Sequence, residues 1–176
     1  MVATEESPIA LLLPGRGYTV NHPVLYYLAA VARELGWNIK AVSWDETDLS
    51  DNEVVAHGRE RLASLPAGQH LVIGKSLGSL LLPDVAELGL PAIWVTPLLH
   101  RTDVRSGALR ASGPSLYVGG TADESWDPEG IRQSGHEFLE LENGNHGLEI
   151  DKDAAASAQF LVLLVQRTRE FLAAIK

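Results

Sequence analysis

The pentapeptide Gly74-Lys75-Ser76-Leu77-Gly78 decides how this chain is interpreted. It follows a short apolar segment of strand length, Leu71–Gly74, and precedes an apolar segment of helical period. A serine on a tight strand-to-helix turn needs neighbours almost without side chains, so that the flanking backbones can pass. Gly74 and Gly78 meet that need. The context therefore predicts a nucleophilic serine at position 76, although chance also produces this pattern in a glycine-rich chain.

A Gly-Lys-Ser sequence also ends phosphate-binding loops, so a nucleotide site is an alternative. Such a loop needs a glycine five residues before Gly74, where this chain has Gln69. In addition, residues His70 to Ile73 have the pattern of a strand, whereas a phosphate-binding loop follows its strand. Spacing and context therefore disfavour this alternative.

Apolar segments of strand length alternate with longer segments of helical period, which is typical of a parallel sheet with crossover helices. The pattern predicts an α/β fold with a doubly wound, mainly parallel six-stranded sheet in the order 2-1-3-4-5-6 and helices on both faces. The predicted strands are Ile9–Leu13, Ile39–Ser43, Leu71–Gly74, Ala92–Thr96, Ser115–Val118 and Glu137–Leu141.

Start and stop signals in the sequence predict where the helices begin and end. A first helix carrying Leu25 to Leu35 should stop at Gly36, and a second should open with a capping box between Ser50 and Glu53. A third should begin just after Ser76 and break or bend at Pro83. The last should run from about Lys152 to Ile175.

The turn Pro14-Gly15-Arg16-Gly17 follows the first strand and could open a dinucleotide loop, but Val20 stands where the third glycine is needed. In the predicted sheet, the loops after strands one and three meet at the switch point, where ligands usually bind. Backbone N–H groups of this loop and of Leu77 are therefore candidates to stabilise an oxyanion. An ordinary strand-exit turn is the alternative.

A serine hydroxyl needs a base, and the base needs an acid that orients it. Of six histidines, His146 is the best candidate because it lies in a Gly/Asn-rich loop after the last predicted strand. Asp123, shortly after the fifth strand, is the candidate acid. Both follow carboxyl ends of strands.

The chain order Ser76, Asp123, His146 is that of the α/β-hydrolases. Over nearly its whole length the sequence resembles this superfamily, as a minimal member without a cap domain that begins at the family's third strand. The resemblance implies that Arg16 gives an oxyanion-hole N–H together with Leu77. The Gly-Lys-Ser form of the turn is similar to the dienelactone-hydrolase-like and testis-expressed-protein-30-like branches.

Several neighbours of these residues have two interpretations. We expect Lys75 to be a solvated lysine without a role. Glu124 and Asp127 are alternatives to Asp123, or form an acidic patch; no metal is expected, since oxygen ligands at a recognised spacing are missing. His22, after the glycine loop, and His100, after the fourth strand, could approach the mouth of the site, but we expect both at the surface or as caps. We expect a substrate pocket lined by Gly15, Gly17, Leu98 and Trp126, although Trp126 and the Leu98-Leu99 pair could instead belong to the core.

The composition indicates the number of domains and the class of protein. The 176 residues suit one domain, 1–176, and 45% apolar with 21% charged residues is ordinary for a globular chain. A net charge of −9 with scattered Lys and Arg disfavours nucleic-acid binding. No apolar stretch reaches the length of a membrane span, and Met1 to Ser7 carries Glu5 and Glu6 where an export signal has basic residues. A cytoplasmic protein without a cofactor is expected, and the oligomeric state is open.

The connection Pro97 to Gly113 is long enough for one short helix, where the family usually inserts its lid. An open site that takes a small molecule is therefore expected. The sequence predicts hydrolysis of a small carboxylic ester or thioester. The alternatives are a non-catalytic binding or scaffold member of the fold, and a peptidase or acyltransferase with the same triad.

Overall fold

The computed structural model describes residues 8–44 and 48–175, so the N-terminal segment with Glu5 and Glu6 lies outside the described residues. Six strands form one sheet in the order β2-β1-β3-β4-β5-β6, and all neighbouring strands are parallel. This confirms the predicted order, and the strand limits differ from the predicted ones by two residues at most. The strands are β1 (Ile9–Leu13), β2 (Asn38–Ala41), β3 (His70–Lys75), β4 (Ala92–Val95), β5 (Ser115–Gly120) and β6 (Glu137–Leu141).

Helices connect the strands and cover both faces of the sheet. The first ends just before Gly36, which takes a left-handed φ of 86°. The second has the predicted capping box, in which the Ser50 N–H donates to Glu53 Oε2 over 2.8 Å. The α-helices are α1 (Pro23–Glu34), α2 (Asp51–Ala63), α3 (Leu82–Glu87), α4 (Thr102–Arg110), α5 (Glu129–Ser134) and α6 (Ala154–Ala174).

The segment after Ser76 differs from the prediction in one respect. Residues Ser76–Leu81 form a 3₁₀ helix, here called the elbow helix, and α3 begins directly after it at Leu82. Pro83 therefore stands in the first turn of α3, where its missing N–H would have no partner within the helix. The interruption lies where it was predicted, but the proline begins a helix instead of ending one.

Alternating residues of β1 divide the interior into two cores. Ala10 and Leu12 pack under α1 and α6, whereas Leu11 and Leu13 pack on the opposite face under α2 to α5. With both faces covered, the central strands are buried and mostly apolar, as parallel strands usually are. Across the described residues, no helix combines the length and the apolar character needed to cross a membrane.

The two glycines that flank Ser76 allow close packing at the carboxyl end of the sheet. A Cβ on Gly74 would overlap the Trp94 ring on β4, and a Cβ on Gly78 would overlap the backbone carbonyl of Leu13 on β1. The elbow helix can therefore lie directly against β1 because residue 78 has no side chain. This is the close approach that the sequence predicted.

Gly78→Ala should destabilise the protein by about 2–3 kcal/mol or more, because the added methyl group meets a backbone oxygen that cannot move aside. Urea unfolding measures this. The matched control is Gly130→Ala in α5, where the new methyl group meets a methyl carbon of the exposed Leu109 side chain at 2.9 Å. That change should be neutral or stabilising, since alanine favours a helix. Equal losses in the two variants would contradict this account.

Candidate active site

Ser76 stands at the junction of β3 and the elbow helix with a φ of 48°. A residue other than glycine rarely takes this left-handed conformation, which costs roughly 1–2 kcal/mol. The strain turns the chain sharply, so that the serine remains partly exposed while Lys75 and Leu77 on either side are buried. This is the geometry of a nucleophile elbow.

The structure brings together the three residues that the sequence singled out. His146 Nε2 lies 2.7 Å from Ser76 Oγ, and His146 Nδ1 lies 2.8 Å from Asp123 Oδ2. With the proton on Nδ1, the imidazole donates to the carboxylate and Nε2 accepts from the serine hydroxyl. The chain of hydrogen bonds can therefore move a proton off Ser76 and compensate the charge that develops on His146.

Asp123 is 7% exposed, and its environment favours the ionised form. Burial alone would raise the pKa of this carboxyl. The hydrogen bond with His146, a 2.9 Å bond from the Ser125 N–H and the charge of Lys75 outweigh burial, so the pKa lies below its usual value. Asp123 is thus suited to hold a neutral imidazole in one tautomer. The two alternative acids are not placed this way, since Asp127 pairs with Arg105 and Glu124 is exposed.

A compact loop after β6 presents His146. The Asn145 side-chain oxygen accepts from the N–H groups of Gly147 and Glu149, over 2.8 and 3.1 Å. The Gly144 carbonyl lies against Gly120 at the end of β5 and accepts from Ala122. A Cβ on Gly120 would overlap that carbonyl. The loop is therefore anchored to the same segment that carries Asp123.

The glycine loop after β1 lies beside the serine. A Cβ on Gly15 would lie 3.4 Å from Ser76 Cβ, so the backbone of this loop borders Ser76. Gly17 takes a φ of 62°. The Arg16 side chain turns outward, donates to the Leu49 carbonyl over 3.0 Å and lies 3.9 Å from Asp51. A role for Arg16 at the nucleophile would therefore belong to its backbone N–H.

Ser79 in the elbow helix ties the site to the loop after β4, a contact that the sequence did not suggest. Its hydroxyl donates to the Ser76 carbonyl over 2.6 Å and accepts from the Leu98 N–H over 2.9 Å. Ser79 is fully buried, so these bonds form in a dry environment. They fix the partly buried Leu98, a predicted pocket residue, relative to Ser76.

Trp126 is placed differently from the predicted pocket wall. Its ring packs against Gly119 in the core, and its Nε1 donates to Glu140 Oε2 over 2.7 Å. Because the absent side chain of Gly119 makes room for the indole, Trp126 fits the core alternative. Leu99 is also fully buried. His22 stacks on Tyr18 with ring centroids 4.6 Å apart, and His100 is exposed, as expected of surface histidines.

The expectation of a solvated Lys75 is wrong. Strand β3 extends through this residue, whose side chain is only 2% exposed. Its Nζ donates to Thr96 Oγ1 over 3.0 Å and to the His146 backbone carbonyl over 3.2 Å, and lies 4.5 Å from the centroid of the Tyr18 ring. Burial lowers the pKa of Lys75 to about 8, although the charge of Asp123 acts in the opposite direction.

Known proteins resemble this chain in structure, and the comparison therefore shows its fold. Neither a protein-family model nor a curated protein sequence matches the chain. An alpha-beta serine hydrolase homologue from Coxiella burnetii superposes with a TM-score of 0.71 at 18% identity, over 94% of this chain and 87% of that one. Est1E from Butyrivibrio proteoclasticus gives 0.70 at 13% identity, over 98% and 90%. The chain has the α/β-hydrolase fold.

One of the structures similar in fold is described as lacking a lid. XC6422 from Xanthomonas campestris, described as an a/b serine hydrolase without lid, superposes with a TM-score of 0.62 at 18% identity, over 99% of this chain and 85% of that one. In the described chain, the connection between β4 and β5 contains α4 and no inserted domain. The resemblance to the superfamily is thus confirmed at the level of the fold. The similarity to two of its branches stays a prediction.

Lys75→Met should change how stability depends on pH. Between pH 8 and 10.5 the unfolded chain holds a proton on this lysine that the folded chain has released, so Lys75 makes wild-type stability rise with pH in that window. The free energy of unfolding of wild type minus that of Lys75→Met should therefore increase by up to about 3 kcal/mol from pH 7 to pH 10. Urea unfolding at graded pH measures it.

The control for this prediction is Lys40→Met, which removes an exposed lysine from β2. Its stability should follow that of the wild type across the same pH range. A constant difference between wild type and Lys75→Met would show that Lys75 keeps an ordinary pKa in the folded protein.

Proposed function

We propose that this protein is a serine hydrolase that cleaves a small carboxylic ester or thioester through an acyl-enzyme intermediate. The observation that carries the proposal is the unbroken chain of hydrogen bonds from Ser76 Oγ through His146 to the buried Asp123. A non-catalytic scaffold would not need this alignment, nor a strained backbone at the serine.

In the first half of the proposed reaction, Ser76 Oγ attacks the substrate carbonyl carbon while His146 Nε2 takes the hydroxyl proton. The carbonyl oxygen becomes an oxyanion. The N–H of Leu77, in the first turn of the elbow helix, and the N–H of Arg16 in the adjacent glycine loop are the proposed donors to it. The intermediate then expels the alcohol or thiol, which takes the proton from His146.

In the second half, His146 takes a proton from water, and the resulting hydroxide attacks the acyl carbon. The second tetrahedral intermediate releases the carboxylic acid and returns the proton from His146 to Ser76. Asp123 stays ionised throughout and stabilises the imidazolium that forms in each half. The resting state is then restored.

The surroundings of the serine support a small substrate. The His146 side chain is 41% exposed, and the connection between β4 and β5 offers one nine-residue helix, α4. Long acyl chains need an apolar cover to remove them from water. Est1E, similar in fold, has been solved with ferulic acid bound, an example of a small carboxylic acid on this scaffold.

Hydrolysis of p-nitrophenyl acetate should depend on Ser76 and Asp123. Ser76→Ala removes the nucleophile and should abolish turnover above background. Asp123→Asn should lower kcat by about 10⁴, because an amide no longer holds the imidazole in the required tautomer. Release of p-nitrophenol measures both effects. Ser64→Ala, at the distant end of α2, is the matched control and should keep full activity. Full activity in Ser76→Ala would refute the proposal.

A series of p-nitrophenyl esters from acetate to palmitate tests the open site. We expect kcat/KM to be highest for the two- and four-carbon acyl groups and to fall with chain length. The reason is that exposed methylene groups gain little from binding where no apolar cover removes them from water. A strong preference for palmitate would contradict an uncovered site.

A further inference from the structure

Lys75 joins four segments at the carboxyl end of the sheet. It is the last residue of β3 and directly precedes the nucleophile. Its ammonium contacts Thr96 after β4, the His146 carbonyl after β6 and the Tyr18 ring after β1. These loops, together with the one that carries Asp123, surround Ser76. The side chain therefore lies directly beneath the candidate active site.

The contact with His146 reaches the base itself. Asn145 and Gly144 anchor the flanks of the loop, whereas Lys75 holds the backbone carbonyl of His146. A shift of this carbonyl would move the imidazole that spans Ser76 and Asp123. Hydrogen bonds from a charged donor are stronger than those between neutral groups, so an ammonium holds the carbonyl more firmly than a neutral amine does.

Burying the Lys75 ammonium in this space costs free energy. Burial disfavours the charged form, and an apolar side chain of similar length would fill the volume without that penalty. What the lysine adds is a charge-assisted contact with the His146 backbone and a positive charge near Asp123, which helps keep that carboxyl ionised.

We propose that Lys75 is a positioning residue whose buried ammonium holds the His146 backbone, so that the imidazole bridges Ser76 and Asp123, and that hydrolysis slows when this ammonium loses its proton. The proposal rests on the proposed hydrolase function. It assigns a role to the second residue of the Gly-Lys-Ser-Leu-Gly turn, beside the serine itself.

The groups that face Lys75 come from every loop around it. Asp123 carries a negative charge and has a pKa held below its usual value, so it stays ionised at neutral and alkaline pH. Tyr18 lies under the ammonium, and burial together with the charge of Glu149 raises the pKa of its phenol, although the Val24 N–H opposes this. His146 contributes the carbonyl and the adjoining imidazole. Of Lys75, Tyr18 and Asp123, Lys75 has the pKa in the mildly alkaline range, about 8.

The test is the pH profile of kcat and kcat/KM for p-nitrophenyl acetate from pH 6 to 10 in wild type, Lys75→Met and the control Lys40→Met. Wild type and Lys40→Met should lose activity above about pH 8. Lys75→Met should have a kcat about tenfold lower at pH 7, with KM little changed and no alkaline decline. If Lys75→Met merely disturbed the structure, its activity would be lower at every pH, and the decline above about pH 8 would remain. Equal limbs in wild type and Lys75→Met would overturn the proposal.

Thr96→Val provides a second variant that keeps the lysine. It preserves the β-branched shape but removes a hydroxyl that accepts from Nζ. Because this bond favours the charged amine, its loss should lower the Lys75 pKa and move the alkaline limb to lower pH. If Lys75→Met does not fold, the pH at which Thr96→Val loses activity tests the proposal instead. A decline at the same pH as in wild type would count against the proposal.

NMR separates failure of this proposal from failure of the hydrolase function. The His146 Nδ1 proton, hydrogen-bonded to Asp123, should give a low-field resonance in wild type at pH 7. It should broaden above about pH 8 and be weakened in Lys75→Met even at pH 7. An unchanged resonance in Lys75→Met would overturn the positioning role. Absence of hydrolysis by well-folded wild type would instead refute the function, while this signal still tests the geometry.

Discussion

Ser76 occupies a left-handed backbone conformation at the turn between β3 and the elbow helix, and the rest of the site depends on that constraint. The turn is possible because Gly74 leaves room for Trp94, and Gly78 leaves room for the Leu13 carbonyl. Local strain of roughly 1–2 kcal/mol is held by a sheet whose two faces are both buried. The serine is thereby set at a fixed point where loops from four other strands converge.

The charged groups on those loops determine the chemistry available at Ser76. Behind the Ser76 hydroxyl lie the His146 imidazole and then the buried Asp123 carboxylate, and the buried Lys75 ammonium donates to the backbone carbonyl of His146. Asp123 is ionised despite burial because His146 and the Ser125 N–H donate to it and Lys75 is close. The ammonium of Lys75 is disfavoured by the same burial, which lowers its pKa to about 8. The site thus combines a firmly held Asp123 carboxylate with a histidine whose backbone carbonyl accepts from Lys75, an amine that titrates in the mildly alkaline range.

Much of this was predictable because it depends on local pattern. Alternation of short apolar segments with helical ones is enough to derive a parallel sheet, and its order brings the loops after β1 and β3 together. His146 and Asp123 could be chosen because both follow strands at the same edge. Gly74 and Gly78 could be interpreted correctly because a tight turn limits side-chain size in a way that does not depend on distant residues.

Apart from the local 3₁₀ geometry after Ser76, the features that were not predicted depend on side-chain packing. Lys75 was expected in solvent because an isolated lysine in a sequence usually is, and its partners come from residues 18, 96 and 146. Trp126 had two interpretations, a pocket wall or a core residue, and the choice depends on the space that Gly119 leaves for its ring. Ser79 carries no signal of its own, since its role requires the Leu98 N–H.

The measurement that tests the account most directly is the mapping of a covalent adduct. Intact protein is treated at neutral pH with a fluorophosphonate, which reacts with activated serines, and the modified residue is located by mass spectrometry of its peptides. We predict a single adduct on Ser76, formed much faster than in Asp123→Asn. Well-folded protein that gains no adduct, or gains one at another residue, would contradict the assignment of Ser76 as the nucleophile.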